Sequence, residues 1–154
     1  LMNQINTHIF SIARINPIEA ITDLIAVTFI GKNISVGIAQ IKIDTARDLI
    51  KDGYYNPNPD DKKLLKENIG TTSREYIYNY IFETKHNIFL AAARMRSLID
   101  EWQRFVNLND KPEITATLYS LEHKHPHSDP KPNERGLQIS SEFYQLAKEF
   151  LDKP

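Results

Sequence analysis

The stretch "NIFLAAARMRSLIDEWQRFV", residues 87–106, is the clearest helix in this sequence and decides the fold class. Its apolar residues recur at spacings of three and four, the period that places side chains on one face of an α-helix. They stand at positions 88, 91, 92, 95, 98, 99, 102 and 106. Consecutive alanines at 91–93 favour helix and allow a neighbouring element to approach closely. We therefore predict a long helix whose apolar stripe, including Trp102, belongs to the core.

The remaining sequence repeats this helical pattern between polar loops. Helix start signals of the capping-box type occur twice, with Asn16 followed by Pro17 and Glu19, and with Thr72 followed by Glu75. We predict three helices over the ranges 2–14, 44–52 and 87–106, and three more that begin at Asn16, Thr72 and Pro112. A last helix follows the polar loop 124–136. Its apolar face carries Phe143, Leu146, Ala147 and Phe150. The sum is an all-α domain of about seven helices.

Length and composition exclude several classes of protein. The 154 residues suit a single domain covering 1–154, and 41% hydrophobic with 25% charged residues is typical of a globular chain. With 19 basic and 20 acidic residues, the chain carries no basic excess for nucleic acid. Its apolar runs are too short to predict a transmembrane segment, and no signal peptide is visible. Because the chain begins at Leu1 without methionine, we interpret it as a domain excised from a longer protein.

The stretch "ISVGIAQIKIDTA", residues 34–46, combines an apolar run with a glycine and a glutamine. Its β-branched residues permit a strand, but strict alternation is lacking, and Asp44 resembles the N-cap of a following helix. We interpret the stretch as a loop that leads into a helix. In such a loop Gly37 would allow the backbone to approach another group closely, and the amide of Gln40 would offer a hydrogen-bond donor and an acceptor.

Three segments, taken in order, resemble the lysozyme-like lytic transglycosylases of the goose-type lysozyme superfamily. "SVGIAQIKIDTA" is similar to their Ser/Gly-x-x-Gln-x-x-x-x-Thr-Ala stretch, and "NIFLAAARMRSLID" is similar to the long alanine-rich helix that follows. "EITATLYSLEH" stands where the family carries an Ala-Tyr-Asn motif. The resemblance extends from about residue 8 to residue 146. It implies a lysozyme-like fold that binds the glycan strand of peptidoglycan in a groove, outside the cytoplasm, and cleaves the MurNAc-GlcNAc bond.

The resemblance also implies roles for individual residues. Ser35, Gly37 and Gln40 would line the groove beside the scissile bond. Tyr119 would be the tyrosine of the later motif, with its hydroxyl near the catalytic carboxylate. Ser120 departs from the family, because asparagine is usual at that position.

The family's chemistry requires one glutamic acid, which this sequence lacks at the expected place. That acid protonates the glycosidic oxygen, and its conjugate base then assists attack by the muramic 6-hydroxyl or by water. It normally ends the first helix just before an Asn-Pro pair, where this chain has Ala13, three positions before Asn16. Either the acid has been replaced in an inactivated variant, or the protein is a natural binding module without it, or the alignment is displaced by one position. Glu19 is the alternative acid, although its place in the capping box favours a structural role.

The sequence thus predicts a lytic transglycosylase or muramidase, with two alternatives left open. One is a non-catalytic glycan-binding or protein-interaction domain on the same fold, and the other is an unrelated helical bundle. The histidine run at 123, 125 and 127, near Asp129, matches no strong metal-binding pattern, so we predict no metal and no cofactor. On either lysozyme-like interpretation, Ala13, Gln40 and Tyr119 should converge on one cleft.

Overall fold

The computed structural model describes residues 34–121 and 125–151, and these residues are mostly helical. This agrees with the predicted all-α class, apart from one small sheet. The helices predicted over residues 2–14 and from Asn16 lie outside the described residues, and so do Ala13 and Glu19. In the described part of the chain, no helix is both long enough and apolar enough to span a bilayer.

The described elements begin with a β-hairpin and continue as a series of helices. Strands β1 (Ser35–Val36) and β2 (Ile41–Lys42) pair antiparallel, with Ser35 opposite Lys42 and Val36 opposite Ile41. The helices are α1 (Ile43–Lys51), α2 (Arg74–Phe82), α3 (Thr84–Trp102), α4 (Pro112–Ser120) and α5 (Glu134–Gln138), which continues through a π-helical segment (Ile139–Tyr144) into α6 (Gln145–Leu151).

The hairpin corrects our interpretation of residues 34–46 as a loop. A four-residue turn, 37–40, joins the two strands, and the backbone N–H of Gln40 donates to the carbonyl of Gly37 at 3.1 Å. Both Gly37 and Gln40 have positive φ angles, 72° and 54°. Alternation identifies a strand only over about four residues or more. Each strand here has two residues, so the pattern was too short to be recognised.

Two helix starts also differ from the predicted ones. Lys42, and not Asp44, occupies the N-cap of α1, and Asp44 lies in the first turn, where its carboxylate pairs with Arg74. At α2 the cap is Ser73, whose hydroxyl accepts the backbone N–H of Tyr76 at 3.2 Å. Thr72 does not cap this helix, because its hydroxyl is within hydrogen-bond distance of the carbonyl oxygens of Lys63 and Asn68 in the preceding loop.

Helix α3 confirms the predicted long helix, but it begins and ends earlier than the predicted 87–106, and its buried face is rotated from the predicted stripe. Trp102 is buried as expected, and Arg96 pairs with Asp100 at 3.0 Å. Ile88 and Met95, which we assigned to the core, are 50% and 42% exposed. The buried face consists of Asn87, Leu90, Ala91, Ala93, Ser97, Leu98 and Trp102. This helix therefore turns a polar side chain, that of Asn87, into the core.

The core has two clusters that meet near Tyr119. The larger joins the hairpin, α1, α2 and the first half of α3, with fully buried Ile43, Ile77 and Leu90 among its members. The smaller surrounds Trp102 between the end of α3 and α4. Tyr119, on α4, packs against both clusters.

The C-terminal helical segment begins earlier than predicted and packs differently. The side chain of Asn133 accepts the N–H of Gly136 at 2.8 Å, so the helix starts inside the stretch that we interpreted as a loop. Gly136 is buried against α4, whereas Phe143 and Leu146 are 52% and 62% exposed. The predicted apolar face is thus wrong for these two residues, because the contact with α4 is made through the glycine side of the helix.

Candidate functional site

A groove of about 500 Å³ opens between the hairpin turn, α3, α4 and the start of α5. We call it the hairpin groove. It is lined by Ser35, Ile38, Ala39, Gln40, Ala91, Met95, Ala116, Tyr119, Ser120, Arg135 and Ile139. Three of the residues predicted from sequence, Ser35, Gln40 and Tyr119, therefore lie on one groove. Gly37 forms the turn beside them, while Ala13 and Glu19 lie outside the described residues.

One buried side chain, that of Asn87, holds the hairpin turn in place. Asn87 is fully buried on α3 and uses both hydrogens of its Nδ2, donating to the carbonyls of Val36 and Ile81 at 2.9 Å each. Its Oδ1 accepts the backbone N–H of Ala39 at 2.7 Å. A single amide therefore joins the turn, the end of α2 and α3, and it satisfies three polar backbone groups, two of them through buried hydrogen bonds.

The close approach that the sequence predicted at Gly37 is made to this asparagine. A Cβ atom at Gly37 would lie 2.6 Å from the side chain of Asn87, closer than van der Waals contact permits. The positive φ of 72° independently favours glycine. Gly37 thus allows the turn to pack directly on Asn87.

The side chain of Gln40 is exposed at the rim of the groove and is held by its own turn. Its Nε2 donates to the carbonyl of Gly37 at 2.8 Å. Its Oε1 has no hydrogen-bond partner among the described residues, so this oxygen can accept a hydrogen bond from a ligand.

Tyr119 lines the groove and forms a long-range hydrogen bond to the hairpin turn. Its hydroxyl donates to the carbonyl of Ala39 at 2.6 Å, across 80 positions of sequence. Burial raises the pKa of Tyr119 above the usual tyrosine value, so the hydroxyl stays protonated at neutral pH. Because its one hydrogen is given to Ala39, the hydroxyl can only accept a hydrogen bond from a ligand or from another side chain.

The described residues that line the groove are mainly apolar, and their one charge is positive. Ile38, Ala91, Met95, Ala116 and Ile139 form the apolar surface, and Ile38 is 75% exposed. Arg135 is the only ionised group among the described lining residues, and none of these residues carries a carboxyl group. The groove can therefore bind a ligand that has both an apolar face and hydrogen-bonding edges. A group that transfers protons would have to come from elsewhere in the chain or from the ligand.

No known protein family, curated protein or solved structure matches this chain. The function of the hairpin groove has therefore to be inferred from its own residues and from the resemblance of the three sequence segments.

Two residues of this region were missed in the sequence. Asn87 was counted only as the beginning of an apolar helical segment, although it shares the helical face of Leu90, Ala91 and Leu98. An isolated asparagine on a buried face was the available signal, since a buried amide needs partners. Arg135 fell in the predicted polar loop, and only the cap at Asn133 could have indicated its helical setting.

Two further clefts among the described residues contain none of the predicted site residues. A cleft of about 430 Å³ between α1 and α3 includes the acidic residues Asp48, Asp52 and Glu101 together with Arg94. Across residues 34–121 and 125–151, no three histidine, aspartate or glutamate side chains lie close enough to hold a metal ion. Of the histidine run at 123, 125 and 127, His123 lies outside the described residues. The ring of His127 packs against that of Trp102, with the ring centroids 5.3 Å apart.

Proposed function

We propose that the hairpin groove binds the glycan strand of peptidoglycan, on a lysozyme-like domain of the kind that cleaves the MurNAc-GlcNAc bond outside the cytoplasm. The observation that carries this proposal is the convergence of Ser35, Gln40 and Tyr119 on one groove. The family resemblance assigns the same three positions to a glycan-binding groove. Two of them come from the hairpin and one from a helix far away in sequence.

The chemistry of the groove suits a sugar chain. A pyranose ring presents an apolar face together with hydroxyl and acetamido groups at its edge, and binding sites combine apolar surface with a few oriented polar groups. Ile38 and Met95 supply exposed apolar surface. The free Oε1 of Gln40 can accept the N–H of an acetamido group, and Ser35 and Ser120 offer hydroxyls.

Cleavage would require an acid in addition to this groove, and position 13 is where the resemblance expects it. A protonated glutamic acid there would give its proton to the glycosidic oxygen as the bond to the anomeric carbon breaks. Its carboxylate would then take the proton of the muramic 6-hydroxyl, or of water, as that oxygen attacks the same carbon. Tyr119, whose own hydrogen is given to Ala39, could accept a hydrogen bond from the O–H of such a carboxylic acid. This favours the neutral acid and raises its pKa.

We expect the chain with Ala13 to bind purified sacculi and to cleave them very poorly, and the Ala13→Glu variant to gain cleavage. A general acid typically contributes about 10²–10⁴-fold to a rate. The measurement is the mass-resolved release of soluble muropeptides at matched protein concentration, with a pH profile limited by a group titrating above about 4.3, the usual value for glutamic acid.

Glu19→Gln provides the control for this experiment. Glutamine also serves in a capping box, so the substitution should change neither stability nor cleavage if Glu19 is structural. A loss of cleavage in Glu19→Gln would make Glu19 the acid. A folded Ala13→Glu protein that releases no more muropeptide than the parent would show that position 13 is not the catalytic one.

The Gln40→Ala variant should bind glycan more weakly without losing its fold. The lost hydrogen bond is worth about 0.5–1.5 kcal/mol, which corresponds to a rise in Kd of about two- to thirteenfold for a peptidoglycan-derived oligosaccharide measured by calorimetry. Gln103→Ala is the matched control, because Gln103 is exposed and does not line the groove. Equal affinities of the two variants would remove Gln40 from the binding site.

Two observations favour a second candidate function, that of a non-catalytic glycan-binding domain on the same fold. No described lining residue of the groove carries a carboxyl group, and the position expected for the acid is alanine. If the protein is such a binding domain, the parent protein sediments with sacculi but releases no muropeptide, and the Ala13→Glu substitution produces no turnover.

A further inference from the structure

We propose that Arg135 is the residue through which the hairpin groove recognises a carboxylate of its ligand. This inference rests on the proposed glycan-binding function and adds to it the chemical feature that the groove would select. N-Acetylmuramic acid differs from N-acetylglucosamine by a lactyl group that ends in a carboxyl, and attached stem peptides carry further carboxylates. Selection of such a group would distinguish peptidoglycan from neutral glycans built of N-acetylglucosamine alone.

The charge of Arg135 is not neutralised by the described part of the protein. Its Nη1 donates to the Oε1 of Gln138 at 3.1 Å, and Gln138 in turn donates to the carboxylate of Glu142 at 3.4 Å. A neutral amide therefore separates the guanidinium from the nearest acid in this chain of contacts. Glu134 precedes Arg135 by one position, and successive helical residues point about 100° apart, so the two side chains do not face each other.

Most other arginines of the described region differ from Arg135 in this respect. Arg47 and Arg74 both pair with Asp44, and Arg96 pairs with Asp100. Arg135 forms no ion pair with any described residue, although it lines a groove. The hydrogen bond to Gln138 uses Nη1 of Arg135, so Nε and Nη2 can donate to a ligand. A guanidinium presents such donors in the spacing that matches the two oxygens of a carboxylate.

The backbone of Arg135 is fixed by an unusually close contact between helices. A Cβ atom at the next residue, Gly136, would lie 2.0 Å from Oγ1 of Thr117 and 2.2 Å from the carbonyl of Glu113. In addition, the N–H of Asn133 donates to the hydroxyl of Thr117 at 3.0 Å. Helix α5 is thus seated directly on α4, which also carries Tyr119. Arg135 and Tyr119 are therefore carried by two helices in direct contact, and both side chains line the groove.

The surroundings should strengthen a charge–charge contact at this point. Arg135 is exposed, and it shares the groove lining with apolar side chains such as Ile139 and Ala116, while the other described lining groups are uncharged. A ligand that fills the groove excludes water, and a hydrogen bond between ionised groups then gains strength because the effective dielectric constant falls. A neutral ligand at the same place would leave the guanidinium without an anionic partner.

The test compares three ligands and three proteins by calorimetry. The ligands are an N-acetylglucosamine oligomer without carboxylate, peptide-free peptidoglycan strands with free lactyl carboxylates, and muropeptides whose carboxylates lie on the stem peptide. The proteins are the parent, Arg135→Gln and Arg104→Gln. Arg104 is exposed and does not line the groove, so both substitutions change the net charge equally while only one changes the groove.

We expect the parent to bind at least one carboxylate-bearing ligand about tenfold more tightly than the neutral oligomer. Arg135→Gln should abolish this preference while keeping the affinity for the neutral oligomer, and Arg104→Gln should retain the preference. Whether the peptide-free strand or the muropeptide shows the preference identifies the lactyl or the peptide carboxylate. Equal binding of all ligands by the parent, or equal preference in the two variants, would overturn the role of Arg135 and leave the proposed function intact. If the parent binds none of the three ligands, both the proposed function and this inference are wrong.

Discussion

Replacement of Asn87 by alanine is expected to lower the free energy of unfolding by about 3 kcal/mol or more, the largest loss among the substitutions considered. The variant removes three hydrogen bonds at a fully buried position. The N–H of Ala39 and the carbonyls of Val36 and Ile81 would each lose this partner, and an unsatisfied buried group costs about 1–3 kcal/mol. For a chain of this length, the loss corresponds to a fall in Tm of about 6 °C or more.

The same variant should also weaken glycan binding, because the turn that carries Ala39 and Gln40 is no longer fixed against α3. Ser97→Ala is the matched control. Ser97 is buried on the same helix, but its hydroxyl contacts only Arg94 of that helix, donating to its carbonyl at 2.9 Å and accepting from its Nη1 at 3.2 Å. Thermal unfolding and glycan titration of both variants give the comparison. If Asn87→Ala were no less stable than Ser97→Ala, the hydrogen bonds of Asn87 would not be what stabilises the hairpin.

Replacement of Gly136 by alanine is expected to destabilise the packing of α5 on α4 by about 1–3 kcal/mol, the usual range for overpacking. On helix propensity alone, the change would stabilise a helix by about 0.8–1.0 kcal/mol. The steric effect prevails because one of the atoms that the new methyl group would meet, 2.2 Å away, is the backbone carbonyl oxygen of Glu113. A backbone atom of an ordered helix cannot move aside as a flexible side chain can.

The control for this substitution is Gly70→Ala, because a Cβ atom at Gly70 would meet nothing within 4 Å. We expect Gly70→Ala to leave Tm nearly unchanged, and Gly136→Ala to lower Tm and to increase hydrogen exchange over residues 134–151. Since Arg135 and Ile139 line the groove, displacement of α5 should also weaken binding of carboxylate-bearing glycans. Unchanged exchange of residues 134–151 in Gly136→Ala would contradict the close contact.

Sequence patterns located the elements well where the cause of structure is local. The long helix α3 and the start of α4 at Pro112 follow from periodicity and from the fixed φ of proline. The ion pair of Arg96 with Asp100 follows from helical spacing. The hairpin was misinterpreted because strands of two residues carry no alternation, and the C-terminal helical segment was predicted to begin too late because its start depends on the cap at Asn133 within a polar stretch.

The candidate site could be assembled from sequence only as a set of separate segments. Ser35, Gly37, Gln40 and Tyr119 were named from the resemblance, yet nothing in their spacing showed that the hydroxyl of Tyr119 donates to Ala39. That contact changes the expected chemistry, because it commits the hydroxyl hydrogen to the protein. Arg135 was absent from the predicted site because its position beside the groove depends on the contact of Gly136 with α4.

The sequence by itself determined that this protein is mostly helical, where its long helix runs and that Trp102 belongs to the core. Only the tertiary structure decided which face of that helix is buried, and with it the position of the groove. Periodicity fixes the angles between side chains on one helix, but the rotation of the helix against its neighbours depends on contacts between distant residues. Here that rotation turns Asn87 inward to reach Val36, 51 positions away, and leaves Ile88 and Met95 exposed.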